Sequence, residues 1–390
     1  MREVYAVGVG ITSFGRLEYP LVEIAAYPSI LALKDAGLDM VDHVYVANMA
    51  AARLNHQTGI ASALVDHLCL QPAGAETIEN GPASGASALK TGYMAIASGM
   101  CDTVLVAGVE RMSEVNQLEA TDTVASLSHP MAEAIYGVTL PALAGMFTRL
   151  YMEKYGVTAR HLAMVAVKNH GNAMHNPYAH VHTKITLEAI LDDRDASTNN
   201  PIIADPLRFF DVCPVSDGGA AIILASADVA KKLKKPMVRL KGVGQATDTH
   251  AVHDRAEPTD LLAVRLAAKK AMDMAGITPK DVSVAELHDA FTILEIVESE
   301  EVGFFKKGEG HLALERGETK IGGRIPINTS GGLKAKGHPV GATGVGQAYE
   351  IILQLRGEAK KRQVKDAKVG FTCNFGGFGN NVVCLAFTRE

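Results

Sequence analysis

Three stretches of this 390-residue chain set reactive side chains among glycines or beside acidic residues. Residues 328–344 read NTSGGLKAKGHPVGATG and hold His338; residues 286–291 read ELHDAF and hold His288; residues 371–379 read FTCNFGGFG and hold Cys373. In the first, glycines let the backbone come close to a ligand and Pro339 suits the first turn of a helix. The imidazole held at that helix mouth can donate a hydrogen bond or act as a general base. Taken singly, the residues say less. A histidine beside a proline is usually an incidental loop residue, and an isolated cysteine is usually a small buried apolar group. The information lies in the strings and in what must hold them in place.

The chain repeats itself. Residues 4–12 (VYAVGVGIT) return as residues 238–247 (VRLKGVGQAT), each followed by a helical pattern, residues 31–39 (LALKDAGLD) and 267–278 (AAKKAMDMAGIT), and then by a second strand-like run. Gly37 and Gly276 fall just beyond each periodic helix, where a left-handed capping residue is expected. Each half then leads a strand through a small-residue turn into a helix, at residues 77–89 and 328–346. This alternation predicts an α/β duplication with parallel or mixed sheets sandwiched by helices. The expected halves are residues 1–226 and 236–390, joined by a Lys/Pro-rich linker at 227–236. Between about 116 and 205 the pattern loosens into Gly-, Pro-, Asn- and His-rich segments with amphipathic pieces, expected to be an insertion carrying binding loops.

The string at 328–344 resembles the signature of the thiolase superfamily, N-x-x-G-G-x(4)-G-H-P-x-G-A-x-G, and the resemblance runs over essentially the whole chain. It takes in the duplicated halves, residues 216–220 (SDGGA), the loop from Lys168 to Ala179, and the ELHDAF box in the histidine form of sterol-carrier-type thiolases. Residues 371–379 resemble the family's C-x-G-G-G-x-G segment. The resemblance implies βαβαβαββ halves in an α-β-α-β-α layering and a coenzyme A thioester as substrate, with no covalently bound cofactor. It also implies that His338 and His288 form an oxyanion site for a thioester enolate, that Cys373 moves the α-proton, and that the Gly376–Gly377 loop belongs to a second oxyanion site. A homodimer or larger assembly, and a small zinc-ribbon/OB-fold partner that helps hold CoA, follow from the same likeness.

One position departs from the family. Residues 79–85 (ENGPASG) align with x-x-x-C-A-S-G, which places Pro82 where thiolases carry the nucleophilic cysteine. Proline has no nucleophilic side chain and no backbone N–H to give an oxyanion, although it fits the start of a helix well. Ser84 is a poor substitute two residues on, and Cys69 and Cys101 read as buried apolar positions. What remains is the half of the site that makes an enolate, which favours an aldolase or retro-aldolase reaction without an acyl-enzyme. A histidine, Tyr93 or Tyr136 is then the candidate base for a β-hydroxyl. The alternatives are a thiolase-type acyltransferase with an unrecognised nucleophile and a non-catalytic scaffold subunit.

Composition narrows the rest. Lys+Arg 38 against Asp+Glu 43 gives a net charge of −5 with no basic block, so nucleic acid and anionic membrane are poor partners. Five cysteines without a CxxC pair argue against a disulfide framework, and no apolar run is long enough to span a membrane; a cytoplasmic protein is expected. His161, His170, His175, His180 and His182 are too irregularly spaced to predict a metal site. The GVG at residues 8–10 is a weak match to a dinucleotide-binding turn.

Overall fold

Strand pairing displays the duplication directly. The computed structural model describes residues 1–192, 199–233 and 236–390. Its strands are β1 (Val4–Ile11), β2 (His43–Ala47), β3 (Gly74–Ile78), β4 (Thr103–Glu110), β5 (Ile202–Ala204), β6 (Leu207–Arg208), β7 (Gly218–Ser226), β8 (Val238–Thr247), β9 (Val284–Glu286), β10 (Val369–Gly376) and β11 (Asn381–Arg389). Nine of them form one sheet in the order β3-β2-β4-β7-β1-β8-β11-β10-β9. In the first half β2 runs parallel to β3 and β4, β4 antiparallel to β7, and β7 antiparallel to β1. In the second, β9 runs parallel to β10, β10 antiparallel to β11, and β11 antiparallel to β8. The third strand of this half shrinks to a single parallel bridge between Ala285 and Ile327. The halves meet where β1 pairs with β8.

Helices complete the expected layers. Leu21–Ala36 covers β1 and β7 on one outer face, and Leu262–Ala275 covers β8 and β11 on the other. Ser84–Ser98 and Val340–Arg356 lie between the two half-sheets and touch both, which is why Val340–Arg356 is buried on nearly every side. Gly37 and Gly276 end their helices in the left-handed conformation, at φ 70 and 64°. The repeated GVG turns out to be a packing device. A Cβ on Gly8 or Gly10 would fall 2.1 or 2.0 Å from the Ala32 or Pro28 carbonyl, and one on Gly242 or Gly244 at 2.1 or 2.0 Å from that of Ala271 or Ala267. Only glycine lets each outer helix lie this close to its strand.

One expectation gains detail and another changes. The segment 116–205, expected to be an insertion with amphipathic pieces that carries binding loops, holds helices at Gln117–Ala125, Leu140–Tyr155, Ala159–Ala173 and Leu187–Leu191 and the hairpin β5–β6. Leu143, Phe147 and Tyr151, one helical turn apart, join Leu287, Phe291 and Phe304 in one buried cluster, so this segment roofs the second half. Residues 193–198 of it, and residues 234–235 of the anticipated linker, lie outside the described residues; Ala227–Ala230 at the linker's start is a helical turn. Cys69 is exposed, not buried, because it sits with φ 53° in the turn that ends the helix Ile60–His67; Cys101 is buried as expected.

Candidate active site

His338 is placed by the turn that precedes the central helix Val340–Arg356. Gly337 at φ 110° packs so tightly that a Cβ would come within 2.8 Å of Ser216 Oγ, and that hydroxyl accepts the His338 backbone N–H at 3.2 Å. The SDGGA run thus anchors the histidine turn across the molecule. His288 follows β9, and its neighbour Asp289 accepts the Leu333 N–H at 2.6 Å, capping the short helix Gly332–Lys336 that leads to His338. A side chain on Gly332 would strike the Asp289 carboxylate at 2.2 Å. The two motifs are therefore locked together, and the rings of His288 and His338 lie 5.0 Å apart, edge to face.

Hydrogen bonds set what each ring offers. His288 Nδ1 faces the Phe375 N–H at 3.4 Å and the Asn374 side-chain amide at 3.1 Å. A backbone N–H can only donate, so Nδ1 is the acceptor and the proton sits on Nε2, free to stabilise an oxyanion. His338 Nδ1 lies 2.7 Å from Thr343 Oγ1, which lies 2.9 Å from the Pro339 carbonyl. Thr343 has one proton for two acceptors. Given to Pro339, it leaves Nε2 of His338 a proton acceptor; given to Nδ1, it leaves Nε2 an N–H donor. Burial holds His338 neutral, its pKa lowered to about 3 with Lys336 adding to the effect, and burial together with His338 holds His288 well below the usual histidine range.

Cys373 stands on β10, opposite Cys384 of β11. Burial, with Cys384, pushes its thiol well above the ordinary range, so it rests protonated. Two residues on, on the same face, Phe375 stacks flat on His288 with centroids 5.1 Å apart. Phe375 occupies the first glycine place of the family's C-x-G-G-G-x-G segment, a departure that fixes the imidazole plane. A further link is Glu298, on the helix Thr292–Glu301: it accepts the His288 N–H at 2.9 Å and lies against the Cys373 thiol. Sequence reasoning missed Glu298. Its only signal is an acidic residue three positions after Glu295 in a run whose preceding residues are apolar.

The Pro82 turn faces this site from the first half. Gly376 and Gly377 pack against Gly81, where an added Cβ would lie 3.6 Å from Gly376 Cα and 3.5 Å from the Gly377 nitrogen. Pro82 is buried and offers no donor. The Ser84 hydroxyl donates to the Gly81 carbonyl at 2.6 Å and accepts the Asn80 N–H at 2.9 Å, so the turn uses it up. The two central helices meet just beyond: a Cβ on Gly85 would stand 2.8 Å from the Gly344 nitrogen, and one on Gly344 2.4 Å from that of Ala86. Tyr93 lies nine residues along the helix Ser84–Ser98, about 13 Å from its start, and Tyr136 is exposed on the insertion. A cavity of about 480 Å³ opens beside Leu118, Ser126, Ser128 and Val138, and its lining does not include either site histidine or Cys373.

Of His161, His170, His175, His180 and His182, four make local structural bonds. His161 closes a capping box with Thr158 and pairs with Glu315, His170 bonds the Thr183 carbonyl, His180 bonds Ser216, and His182 bonds the Asn176 carbonyl. Among the described residues there is no group of three His, Cys, Asp or Glu able to hold a metal ion, and no helix long and apolar enough to cross a membrane.

A duplicated α/β fold that sets two histidines edge to face, with a buried cysteine on the neighbouring strand, defines a family, and comparison names it. Residues 5–228 match the thiolase N-terminal domain and residues 244–389 the thiolase C-terminal domain-like family. The chain belongs to the thiolase superfamily of enzymes. It is 44% identical to an acetyl-CoA acetyltransferase of Methanothermobacter thermautotrophicus, covering 100% of both chains. It is 32% identical to human sterol carrier protein 2, over 99% of this chain and 72% of that one. Among solved structures, an Ltp2-ChsH2(DUF35) aldolase matches with a TM-score of 0.84 and 25% identity, over 100% of this chain and 98% of that chain.

Proposed function

We propose that the protein makes or breaks a carbon–carbon bond α to a CoA thioester through an enolate, as an aldolase or retro-aldolase, without an acyl-enzyme. The observation that carries this reading is the asymmetry of the site. His288 and His338 stand ring to ring with no protein partner on either Nε2 among the described residues, whereas the opposing turn holds Pro82 and a Ser84 hydroxyl already bonded on both sides. In this reading His288 donates from Nε2 to the enolate oxygen, His338 shares that oxygen or takes a proton, and Cys373 exchanges the α-proton. Cleavage of a β-hydroxyacyl thioester breaks the bond between the α- and β-carbons. The β-hydroxyl proton goes to a base, the β-carbon leaves as a carbonyl compound, and the α-carbon takes a proton from Cys373.

Likeness to the Ltp2-ChsH2(DUF35) aldolase supports the reading, and its two-component name supports the expectation of a small zinc-ribbon/OB-fold partner beside a homodimer or larger assembly. We assign Gly376 and Gly377 to shaping the ligand loop. Acyl transfer is the second reading, favoured by the names of relatives at 44 and 40% identity, and it needs a nucleophile other than residue 82. The test is product analysis with a panel of β-hydroxyacyl-CoA thioesters and of β-ketoacyl-CoA thioesters plus CoA. A carbonyl compound and a shortened acyl-CoA from the former support the aldolase; thiolysis of the latter alone refutes it.

A further inference from the structure

The helix Thr292–Glu301 is buried along its whole length and carries four carboxyl side chains: Glu295, Glu298, Glu300 and Glu301. Three have evident structural employment. Glu295 pairs with Lys168 at 3.0 Å and accepts from the Asn169 and Asn328 amides at 2.8 Å each. Glu300 accepts the Tyr151 hydroxyl and the N–H groups of Gly308 and Gly310. Glu301 pairs with Lys307 at 2.7 Å and with Arg265 at 3.1 Å, and accepts the Leu261 N–H.

Glu298 is different. Among the described residues it has no cation partner and a single backbone N–H donor, that of His288, on Oε2, and Oε1 is fully buried without a hydrogen-bond partner. An ionised carboxylate with one donor is costly in such a place, whereas a protonated carboxyl is not. The group beside it is the Cys373 thiol, with which it interacts directly; Asp289 is the other titratable neighbour that favours its protonated form. Cys373 in turn has Cys384 and Glu298 as its ionisable neighbours. A thiolate formed there is fully buried beside the Cys384 thiol and the Glu298 carboxyl, whose O–H can neutralise it.

We propose that Glu298 is a proton-holding residue that acts through Cys373, keeping the thiol charged with a proton while the α-carbon of the substrate is protonated or deprotonated. The assignment rests on Cys373 being the α-proton carrier of the proposed reaction. In the cleavage direction the Cys373 S–H bond breaks and its proton forms the new α-C–H bond. The O–H of Glu298 then breaks and restores S–H, leaving the negative charge on the carboxylate beside the His288 N–H. One proton from water, entering through Cys373 once the products have left, returns Glu298 to its acid form and balances the proton released from the β-hydroxyl. Glu298 never needs to touch the substrate. It acts as a positioning residue for a proton, where the other three acids of its helix position side chains and backbone.

The experiment is deuterium exchange at the α-carbon of a saturated acyl-CoA, followed by mass spectrometry in heavy water on the intact protein. This assay needs no carbon–carbon cleavage, so it separates the fate of Glu298 from that of the aldolase reading. Glu298→Gln keeps an acceptor for the His288 N–H but removes the acid. It is expected to slow exchange about 100-fold with little change in KM, and to shift the high-pH limb of the profile, while Glu298→Asp recovers part of the rate. Exchange within threefold of the parent in Glu298→Gln, with the same pH profile, overturns the proposal. So does a parent chain that exchanges no α-proton, or a Cys373→Ser variant that exchanges as fast as the parent. Infrared spectroscopy of the parent provides a check that depends on no variant's folding: a buried protonated carboxyl band that moves on alkylation of Cys373 is expected, and a band indifferent to it contradicts the assignment.

Discussion

The helices Ser84–Ser98 and Val340–Arg356 hold equivalent places in the two halves, cross at Gly85 and Gly344, and are each approached through a proline, Pro82 or Pro339. Their mouths differ in what the polar atoms do. In the first half the Ser84 hydroxyl accepts the Asn80 N–H and donates to the Gly81 carbonyl, while the Asn80 side-chain amide is taken up by Ser87 and Asn381, so these polar groups are spent. In the second, Ser216 and Thr343 bind the backbone and Nδ1 of His338, leaving the other ring nitrogen without a protein partner among the described residues. On the proposed reading, the duplicated scaffold uses one mouth for chemistry and the other for shape. The criterion that separates them is whether the polar groups are spent on the turn or held open by it.

The sharpest contrast is a pair of variants. His338→Ala is expected to cost about 10²–10³ in kcat, the scale of a lost oxyanion donor, whereas Pro82→Ala is expected to stay within about threefold of the parent. Steady-state kinetics on the cleavable thioester decides it, and an equal loss in both variants would erase the distinction between the mouths. Thr343→Val removes the hydroxyl that orients His338 while keeping its bulk. A fall of about tenfold in kcat is expected, the scale of one net hydrogen bond; an unchanged rate would mean that the ring needs no such support.

Acid sharpens the comparison further. His338 has a folded pKa of about 3, below the unfolded value of about 6.5, so its contribution to stability is present above pH 6.5 and is lost as pH falls toward 3. Glu110 and Asp289, each raised to about 7 chiefly by burial, act in the opposite sense, losing their contribution as pH rises toward 7. Denaturant titrations should therefore be read as a difference. Between pH 7 and 5 the parent is expected to lose about 2 kcal/mol more than His338→Gln does. Parallel losses would show that the folded-state imidazole titrates normally.

Much of this site was legible because its constraints are local. The spacing of glycines and Pro339 around His338 reflects contacts with Ser216 and Asp289 that tolerate no side chain, and the doubled GVG reflects helices lying on strands. What escaped depends on distant packing. Glu298 belongs to an acidic run, and its tie to His288 and Cys373 appears only once β9, β10 and the helix Thr292–Glu301 are packed together. The helices of the insertion were legible only as amphipathic pieces among Gly-, Pro-, Asn- and His-rich segments. Phe375 hid inside a string that otherwise matched its family, and its stacking on His288 needs both strands in place. Cys69 looked apolar by its neighbours, but a turn carries it to the surface.

The central claim is that this site works without a covalent acyl intermediate. The most direct test is intact-protein mass spectrometry of the enzyme, acid-quenched during turnover with its acyl-CoA substrate. The account predicts a chain of unchanged mass while a carbonyl compound and a shorter thioester accumulate. A stoichiometric acyl adduct on any residue, formed and lost at the rate of turnover, would contradict it.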